Sequence, residues 1–509
     1  EEVRRELEQR LIRDVLQRTE SVRRPRVVEL TLRDAIRRAV VNSYAIQTQA
    51  YNPAIDTTRV VEAEAQFDAV FFANFSNDKQ DRPTASQLQA TASETRVFQA
   101  GVRKLLSTGA SVAASYGLTR TETNLTFQTL NPTYFNQFIV DFRQPLLRGF
   151  GIDFNRAQIE LAKLDRAISI QRLERSIRET IFNVEQAYWR LHQARRNLAI
   201  TARLISSFES ILESLRQRLE IGYDVYVVQV ELTTARLQDR LADFAQQRND
   251  ILNAEDALKR LLNDPELSQA ADIEIIPIDV PTIEPVVIDQ MGELTAALQN
   301  REELAEARLA IEQAQIGIGV AKNQALPRLD LLFRYIVDGL GGNPDRAFSQ
   351  LSKNDFHEYV IQLEFEWPIG NRGPEAALRR ARLQQAQAIA AHRDAIENVI
   401  SEVNIAIRDL QSNFDQIGPN FRSALASQKQ LRATVIRAER RDPATLEVEL
   451  NAHEQLAAAR AALLQALVNY NIALINLERT KGTLLRYNNI VIRGVDEEGC
   501  VEPYRPVGP

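Results

Sequence analysis

The sequence predicts a mainly α-helical chain that also carries strands of membrane type and is built as two similar halves. Three observations lead to this reading. No proline occurs between Pro145 and Pro265, and the 119 residues 146–264 are rich in Leu, Ile, Ala, Arg, Glu and Gln, which cost little in a helix. Four other segments alternate greasy and polar side chains with a period of two, the mark of a strand with two unlike faces. Finally, strands followed by long helices occur twice. Val230-Glu231-Leu232 is answered 218 residues later by Val448-Glu449-Leu450, and Gln144-Pro145-Leu146 is answered 223 residues later by Trp367-Pro368-Ile369.

The first helical stretch repeats apolar side chains at Leu161, Leu164, Ile168, Leu173, Ile177, Ile181, Val184, Tyr188 and Leu191, mostly in steps of three and four. A break at Ile221-Gly222-Tyr223 separates it from a second helix running to Asn263-Asp264-Pro265, so the two lie antiparallel. At ~1.5 Å per residue, the segment from Gly151 to Glu220 reaches on the order of 100 Å, and such a hairpin cannot hide its stripe alone. The pattern returns from Arg372 to Leu484, with Pro419 predicting a local kink and Arg440-Arg441-Asp442-Pro443 the turn. In residues 328–338, Leu329, Leu331, Phe333, Tyr335 and Val337 alternate with Arg328, Asp330, Arg334 and Asp338. Tyr359, Ile361, Leu363, Phe365 and Trp367 likewise alternate with Glu358, Gln362, Glu364 and Glu366. The first half repeats this with Phe67, Ala69, Phe71, Ala73 and Phe75, and with Tyr134, Phe138, Val140 and Phe142 against Gln137, Asp141 and Arg143. Each run has about the 9 to 11 residues of a tilted strand crossing a bilayer. Residues 339–355 read as a polar loop. Residues 98–104 and 111–119, around Ser107-Thr108-Gly109, read as a further hairpin that either joins a barrel or caps one.

Composition excludes several classes. Of 509 residues, 44% are hydrophobic and 26% charged, which fits neither a disordered polymer nor a bundle of membrane helices. Lys and Arg number 62 against 68 Asp and Glu, a net charge of −6, so no nucleic-acid partner is expected. No run approaches ~18 to 20 uninterrupted apolar residues. Mean hydropathy is −0.28, so membrane contact is expected through strands or a surface. The one cysteine, Cys500, can form no internal disulfide. The opening at Glu1 lacks a positive-then-apolar leader, which is consistent with a signal peptide removed ahead of it. Enzyme chemistry finds no footing. His192, His357, His392 and His453 are scattered without metal-ligand spacing, and Gly317-Ile318-Gly319 lacks the third glycine of a phosphate loop, so no catalytic, metal or cofactor site is expected.

Over residues 29–485 the sequence resembles the TolC family of outer-membrane efflux proteins. The resemblance rests on Leu30-Thr31-Leu32-Arg33-Asp34-Ala35-Ile36 with Ala39 and Asn42, and on Asn300-Arg301 with Leu304 and Ala307. Ala321-Lys322 with Leu326-Pro327, Pro368-Ile369-Gly370-Asn371-Arg372, and Leu450-Asn451-Ala452 with Leu456 and Ala459 complete it. Each motif is weak; their order, spacing and duplication are specific. The resemblance implies a homotrimer with a shared 12-stranded β-barrel, four strands per chain, on a long α-helical barrel spanning the periplasm of a Gram-negative cell. Four strands cannot close a barrel, and an open sheet in lipid leaves backbone groups unsatisfied, so copies must combine.

On this reading residues 1–28 are a charged peripheral segment, 29–66 the first short helices, 67–146 the first barrel strands with the extra hairpin, and 147–263 the first long hairpin. Residues 264–325 form an equatorial segment with short helices, 326–369 the second strand pair, 370–484 the second long hairpin and 485–509 a mobile tail. The function implied is an outer-membrane exit duct of a tripartite efflux or type I secretion system. It conducts passively and is gated at the periplasmic tip by a periplasmic adaptor (membrane fusion protein) and an inner-membrane transporter. Opposite the aromatic parity, Arg328, Asp330, Arg334, Glu358, Gln362, Glu364 and Glu366 are expected to face the lumen, although a two-layer soluble sheet would leave them in solvent instead. The tips are expected at Gly222, Tyr223 and Asp224 and at Arg440, Arg441 and Asp442, where plain solvated turns are the alternative. Some family members narrow the pore with aspartates. The positions aligned here hold Val448 and Asn451, beside Glu447 and Glu449, so an acidic gate is not carried over. Two rival readings are a periplasmic adaptor, which has one hairpin flanked by soluble β domains, and a structural coiled coil. Neither needs Phe71, Phe138, Phe333 and Trp367 on one face of alternating segments.

Overall fold

The computed structural model describes residues 26–85, 89–222, 225–269, 273–437 and 443–490. In chain order the first elements are β1 (Arg26–Leu30), α1 (Leu32–Asn42), α2 (Tyr44–Glu64), β2 (Val70–Asp81) and β3 (Ala92–Leu105). Then come β4 (Ser111–Thr123), β5 (Thr133–Pro145), α3 (Ile152–Asn155), α4 (Ala157–Glu220), α5 (Val227–Leu262) and β6 (Ile273–Pro277). The second half supplies α6 (Gln290–Asn300), α7 (Glu302–Gln324), β7 (Arg328–Gly341), α8 (Pro344–Ser352) and β8 (Phe356–Glu366). It closes with α9 (Arg372–Arg437), α10 (Pro443–Thr480) and α11 (Leu484–Tyr487). The chain divides into two compact units. One takes in residues within Glu1–Pro53, Ile170–Ala305 and Arg393–Pro509, and the other Ala54–Ser169 and Glu306–His392.

The first unit is helical around a small sheet. Its largest core joins Leu30, Ile36 and Ala39 to Leu173, Ile181, Val184, Tyr188 and Leu191 of α4, with Ile251 and Leu258 of α5 and Val468 and Ile475 of α10. A second packs Ala297 and Leu304 against Val399, Val403, Ile407 and Leu410 of α9 and Tyr470 and Leu477 of α10. The third gathers Leu204, Phe208, Leu212 and Leu215 with Leu237, Leu446 and Leu450. Among the described residues, the one helix apolar and long enough by composition to cross a membrane is Thr445–Thr480. It feeds all three cores, which accounts for its apolar character without lipid. The helix α9 runs through Pro419 without interruption from Arg372 to Arg437.

One expectation for this unit changes. Arg26–Val28 are not peripheral: β1 pairs in parallel with β6, Val28 opposite Ile275, because Val28 and Leu30 alternate inward to the core. Tyr188 pins this pair. Its hydroxyl lies 2.6 Å from Asp279 Oδ2 and 3.0 Å from the Leu30 carbonyl, and it accepts from the Asp279 amide at 3.1 Å.

The second unit is built on one antiparallel sheet in the order β2-β3-β4-β5-β7-β8. The expected four strands per chain are therefore corrected to six, because the hairpin β3–β4 is a full member of the sheet. Its turn closes through Gly109, whose φ of +91° is a left-handed conformation that only glycine adopts without strain. Phe67 lies in a short helical turn, Ala65–Phe67, so the first strand starts later, at Val70. Nor is 339–355 simply a loop. Asn343 Oδ1 accepts from the Arg346 amide at 2.9 Å and Pro344 opens α8, a good helix start. The helix lies so close to β7 that a Cβ at Gly339 would sit 2.1 Å from the Ala347 carbonyl oxygen.

Candidate pore wall

Register determines what each face of the six-stranded sheet carries. Phe71, Val102, Ala114, Val140, Tyr335 and Tyr359 stand in one row across all six strands. The next row holds Ala73, Ala100, Tyr116, Phe138, Val337 and His357. Side chains alternate along a strand, so these rows share one face with Phe75, Phe98, Leu118, Phe142, Phe333 and Ile361. The residues between them form the other face. A row there reads Asn74, Gln99, Gly117, Gln137 and Asp338, and Gln137 Nε2 donates to Asp338 Oδ1 at 3.0 Å.

The polar face is tied together by ion pairs. Arg143 donates through Nη2 to Asp330 Oδ2 at 2.7 Å and to Glu364 Oε2 at 3.0 Å. From β7, Arg328 reaches the same Asp330 oxygen at 2.8 Å, Glu364 at 3.2 Å and Glu366 at 3.2 Å. One carboxylate thus sits between two guanidiniums, and Asp330 is only 4% exposed. Two residues along, Arg334 Nε meets Asp141 Oδ1 at 2.5 Å. Each exposed pair contributes at most about 1 kcal/mol, so the network orders the wall more than it stabilises it. Of the seven residues expected on one face, Arg328, Asp330, Glu364 and Glu366 form a single cluster, while Arg334 pairs separately. Glu358 and Gln362 are exposed on the same face. Arg143 and Asp141 belong to the network as well. Their alternation with Phe142 was visible in the sequence, but their partners lie 187 and 193 positions away.

At the far end of the long helices, α4 ends and Gly222 follows with φ of +70°, as a left-handed helix stop requires. Tyr223, Asp224, Arg440, Arg441 and Asp442 lie outside the described residues. Close by in sequence, Arg236 of α5 donates to Asn451 Oδ1 at 2.6 Å and to Glu454 at 3.1 Å. Within the chain Glu447 is largely exposed and Glu449 is buried. Among the described residues, no His, Cys, Asp or Glu side chains are grouped so as to hold a metal ion.

Elsewhere in the helical unit, burial sets one pH response. Glu185 of α4 is 1% exposed; burial pushes its carboxyl up to about 7, against the opposing hydrogen bond from Asn488 Nδ2 at 2.7 Å. The folded-state value lies above the unfolded one, so the folded protein holds the extra proton and stability falls as pH rises from about 5 to about 7. Glu185→Gln is expected to raise stability at pH 8 by up to about 3 kcal/mol and to change little at pH 4. Thermal unfolding in detergent at the two pH values reads this, and an equal shift at both contradicts it.

A sheet that is apolar on one face and polar, in part ion-paired, on the other, in a chain that also has helices of 64 and 66 residues, is the pattern of a channel-forming protein of the outer membrane. Comparison with known proteins makes this specific. Residues 84–264 and 294–483 match the family model described as outer membrane efflux protein. The cation efflux system protein CusC of Escherichia coli is 23% identical over 339 residues, 65% of this chain and 70% of that protein. A crystal structure of CusC aligns at a TM-score of 0.66 and 17% identity, covering 91% of this chain and 95% of that one. The outer membrane channel CmeC of Campylobacter jejuni aligns equally well, at 0.66 and 16% identity over 89% and 86%. The chain belongs to the outer membrane efflux protein family. It has the TolC-like fold and serves as an exit duct in the Gram-negative outer membrane, with a large helical portion in the periplasm.

Proposed function

We propose that three copies of this chain form one passive duct. Each copy contributes its sheet to a shared barrel in outer-membrane lipid and its helices to a hollow periplasmic cylinder. Arg328, Asp330, Arg334, Glu358, Gln362, Glu364 and Glu366 line the water-filled lumen, and the aromatic face meets lipid. A periplasmic adaptor docks at the tips around Gly222, Tyr223 and Asp224 and around Arg440, Arg441 and Asp442. It opens the inner end to cargo delivered by an inner-membrane transporter. The duct performs no chemistry and needs no cofactor.

One observation carries this reading: across all six strands a single sheet separates an apolar face from a polar one, ion-paired from β5 to β8, and among the described residues both its edges are unpaired. A soluble sheet would not expose Phe71, Tyr359, Ile361 and Phe365 at 66% or more. Purified trimers inserted in planar bilayers are expected to show discrete ion conductance that scales with salt concentration. Trimers that insert and leave the bilayer silent overturn the duct.

A further inference from the structure

The hairpin β3–β4 has a consequence for the size of the pore. We infer that the trimer closes an eighteen-stranded barrel, three times six, with an outer mouth much wider than twelve strands would enclose. The inference rests on the trimeric reading above and adds to it the dimension of the exit.

The hairpin is wall rather than cap. Strand β3 is paired along β2 from Val70 opposite Arg103 to Asp81 opposite Ala92. On its other side it is paired along β4 from Ser93 opposite Thr123 to Leu105 opposite Ser111. Strand β4 in turn pairs with β5 from Ser111 to Thr121, so no register is left for β2 to meet β5 directly. The hairpin also continues both faces. Phe98, Val102, Val112 and Tyr116 extend the aromatic band, while Gln99, Arg103, Ser115 and Thr119 extend the polar one. A plug or lid has no need of such a band, and a segment inside lipid cannot do without it.

The two edges are suited to each other. The outermost strands, β2 with 12 residues and β8 with 11, are nearly equal in length. Successive antiparallel pairings through an even number of strands leave them running in opposite directions, so β8 of one copy meets β2 of the next in the same antiparallel sense. Both place apolar residues on the same face, Phe71 and Phe75 on one and Tyr359, Ile361, Leu363 and Phe365 on the other. Lipid tolerates no free strand edge, and six strands are fewer than the eight of the smallest closed membrane barrels. Barrel diameter grows about in proportion to strand number, so eighteen strands give a mouth about 1.5 times as wide as twelve and about 2.2 times the cross-section.

The test is strand counting. Full-length protein in lipid nanodiscs is expected to show three chains by native mass spectrometry and eighteen strands around the wall by cryo-electron microscopy. Three chains with a twelve-strand wall and the hairpin folded aside overturn this inference alone. A copy number other than three overturns the duct reading beneath it. A second measurement uses bilayers of dibrominated lipid, with Trp189 and Trp367 replaced by Phe. A tryptophan introduced by Phe98→Trp is expected to lose most of its fluorescence and one introduced by Gln99→Trp little. Equal quenching at the two positions also overturns the inference.

Discussion

Arg178→Ala is expected to cost about 3 to 5 kcal/mol, because it strips the cation from a buried cluster and leaves the carboxylates behind. Arg178 of α4 is 1% exposed, and its guanidinium donates to Glu302 and, at 3.3 Å, to Glu303 at the start of α7. Burial already pushes the Glu302 carboxyl above the usual range, and Arg178 is the strongest opposing influence. Burial also raises Glu174, with Glu302 adding to the effect and Arg178 opposing it. Without Arg178 these carboxylates hold their protons to higher pH. Both values then lie further above those of the unfolded chain, so the loss of stability grows as pH rises from about 5 to about 8. Denaturant titration of the detergent-solubilised protein at those two pH values reads the effect. A loss under about 1 kcal/mol at pH 8 contradicts it. The paired change Arg178→Met with Glu302→Leu is expected to recover most of the loss, since an apolar pair of similar volume needs no counter-charge.

The site of this cluster shows where sequence reading stops. Asn300-Arg301 was recognisable as a motif, but its purpose was not. Arg301 Nη2 meets Glu402 of α9 at 2.8 Å, its Nη1 reaches the Thr480 carbonyl at 3.2 Å, and Asn300 Oδ1 accepts from Arg486 at 2.9 Å. One arginine thus links three helices through partners 101 and 179 positions away, and no local pattern announces such a contact. Arginines interleaved with acids along a helix ordinarily mark a solvated face, yet Arg178 is buried, and its partners too are distant in sequence. By contrast, the long helices were legible because a stripe of Ile, Leu and Val in steps of three and four needs only near neighbours in sequence to define it. The strands around Phe333 and Phe365 were legible by parity for the same reason. The hairpin was ambiguous: Gly101, Gly117 and a run of Ser and Thr dilute its alternation, and only pairing with β2 and β5 determines its place. At β1 the arginine-rich approach to Arg26 masked the inward Val28 and Leu30.

Phe333→Arg and Ile336→Arg, three residues apart on one strand, are expected to have opposite outcomes. Phe333 stands between Phe142 and Ile361 on the aromatic face, near the middle of β7. If that face meets hydrocarbon, an arginine there costs about 2 to 4 kcal/mol in every copy, and the trimer carries the penalty three times. Few assembled, heat-resistant trimers should then be recovered from the outer membrane. Ile336 lies on the other face, directly opposite Glu358 and beside Ile139. An arginine there is hydrated in the lumen and gains about 0.2 to 1 kcal/mol from the facing carboxylate, so trimer yield should be near that of the unaltered protein. The new cation should shift the selectivity of the pore towards anions, readable as a shift in reversal potential under a salt gradient. Normal assembly of Phe333→Arg together with loss of Ile336→Arg would mean that the faces are reversed, and with them the assignment of Arg328, Glu358 and Glu364 to the lumen. The paired design separates the question of facing from that of stability, because both changes add the same side chain to the same strand at similar depth.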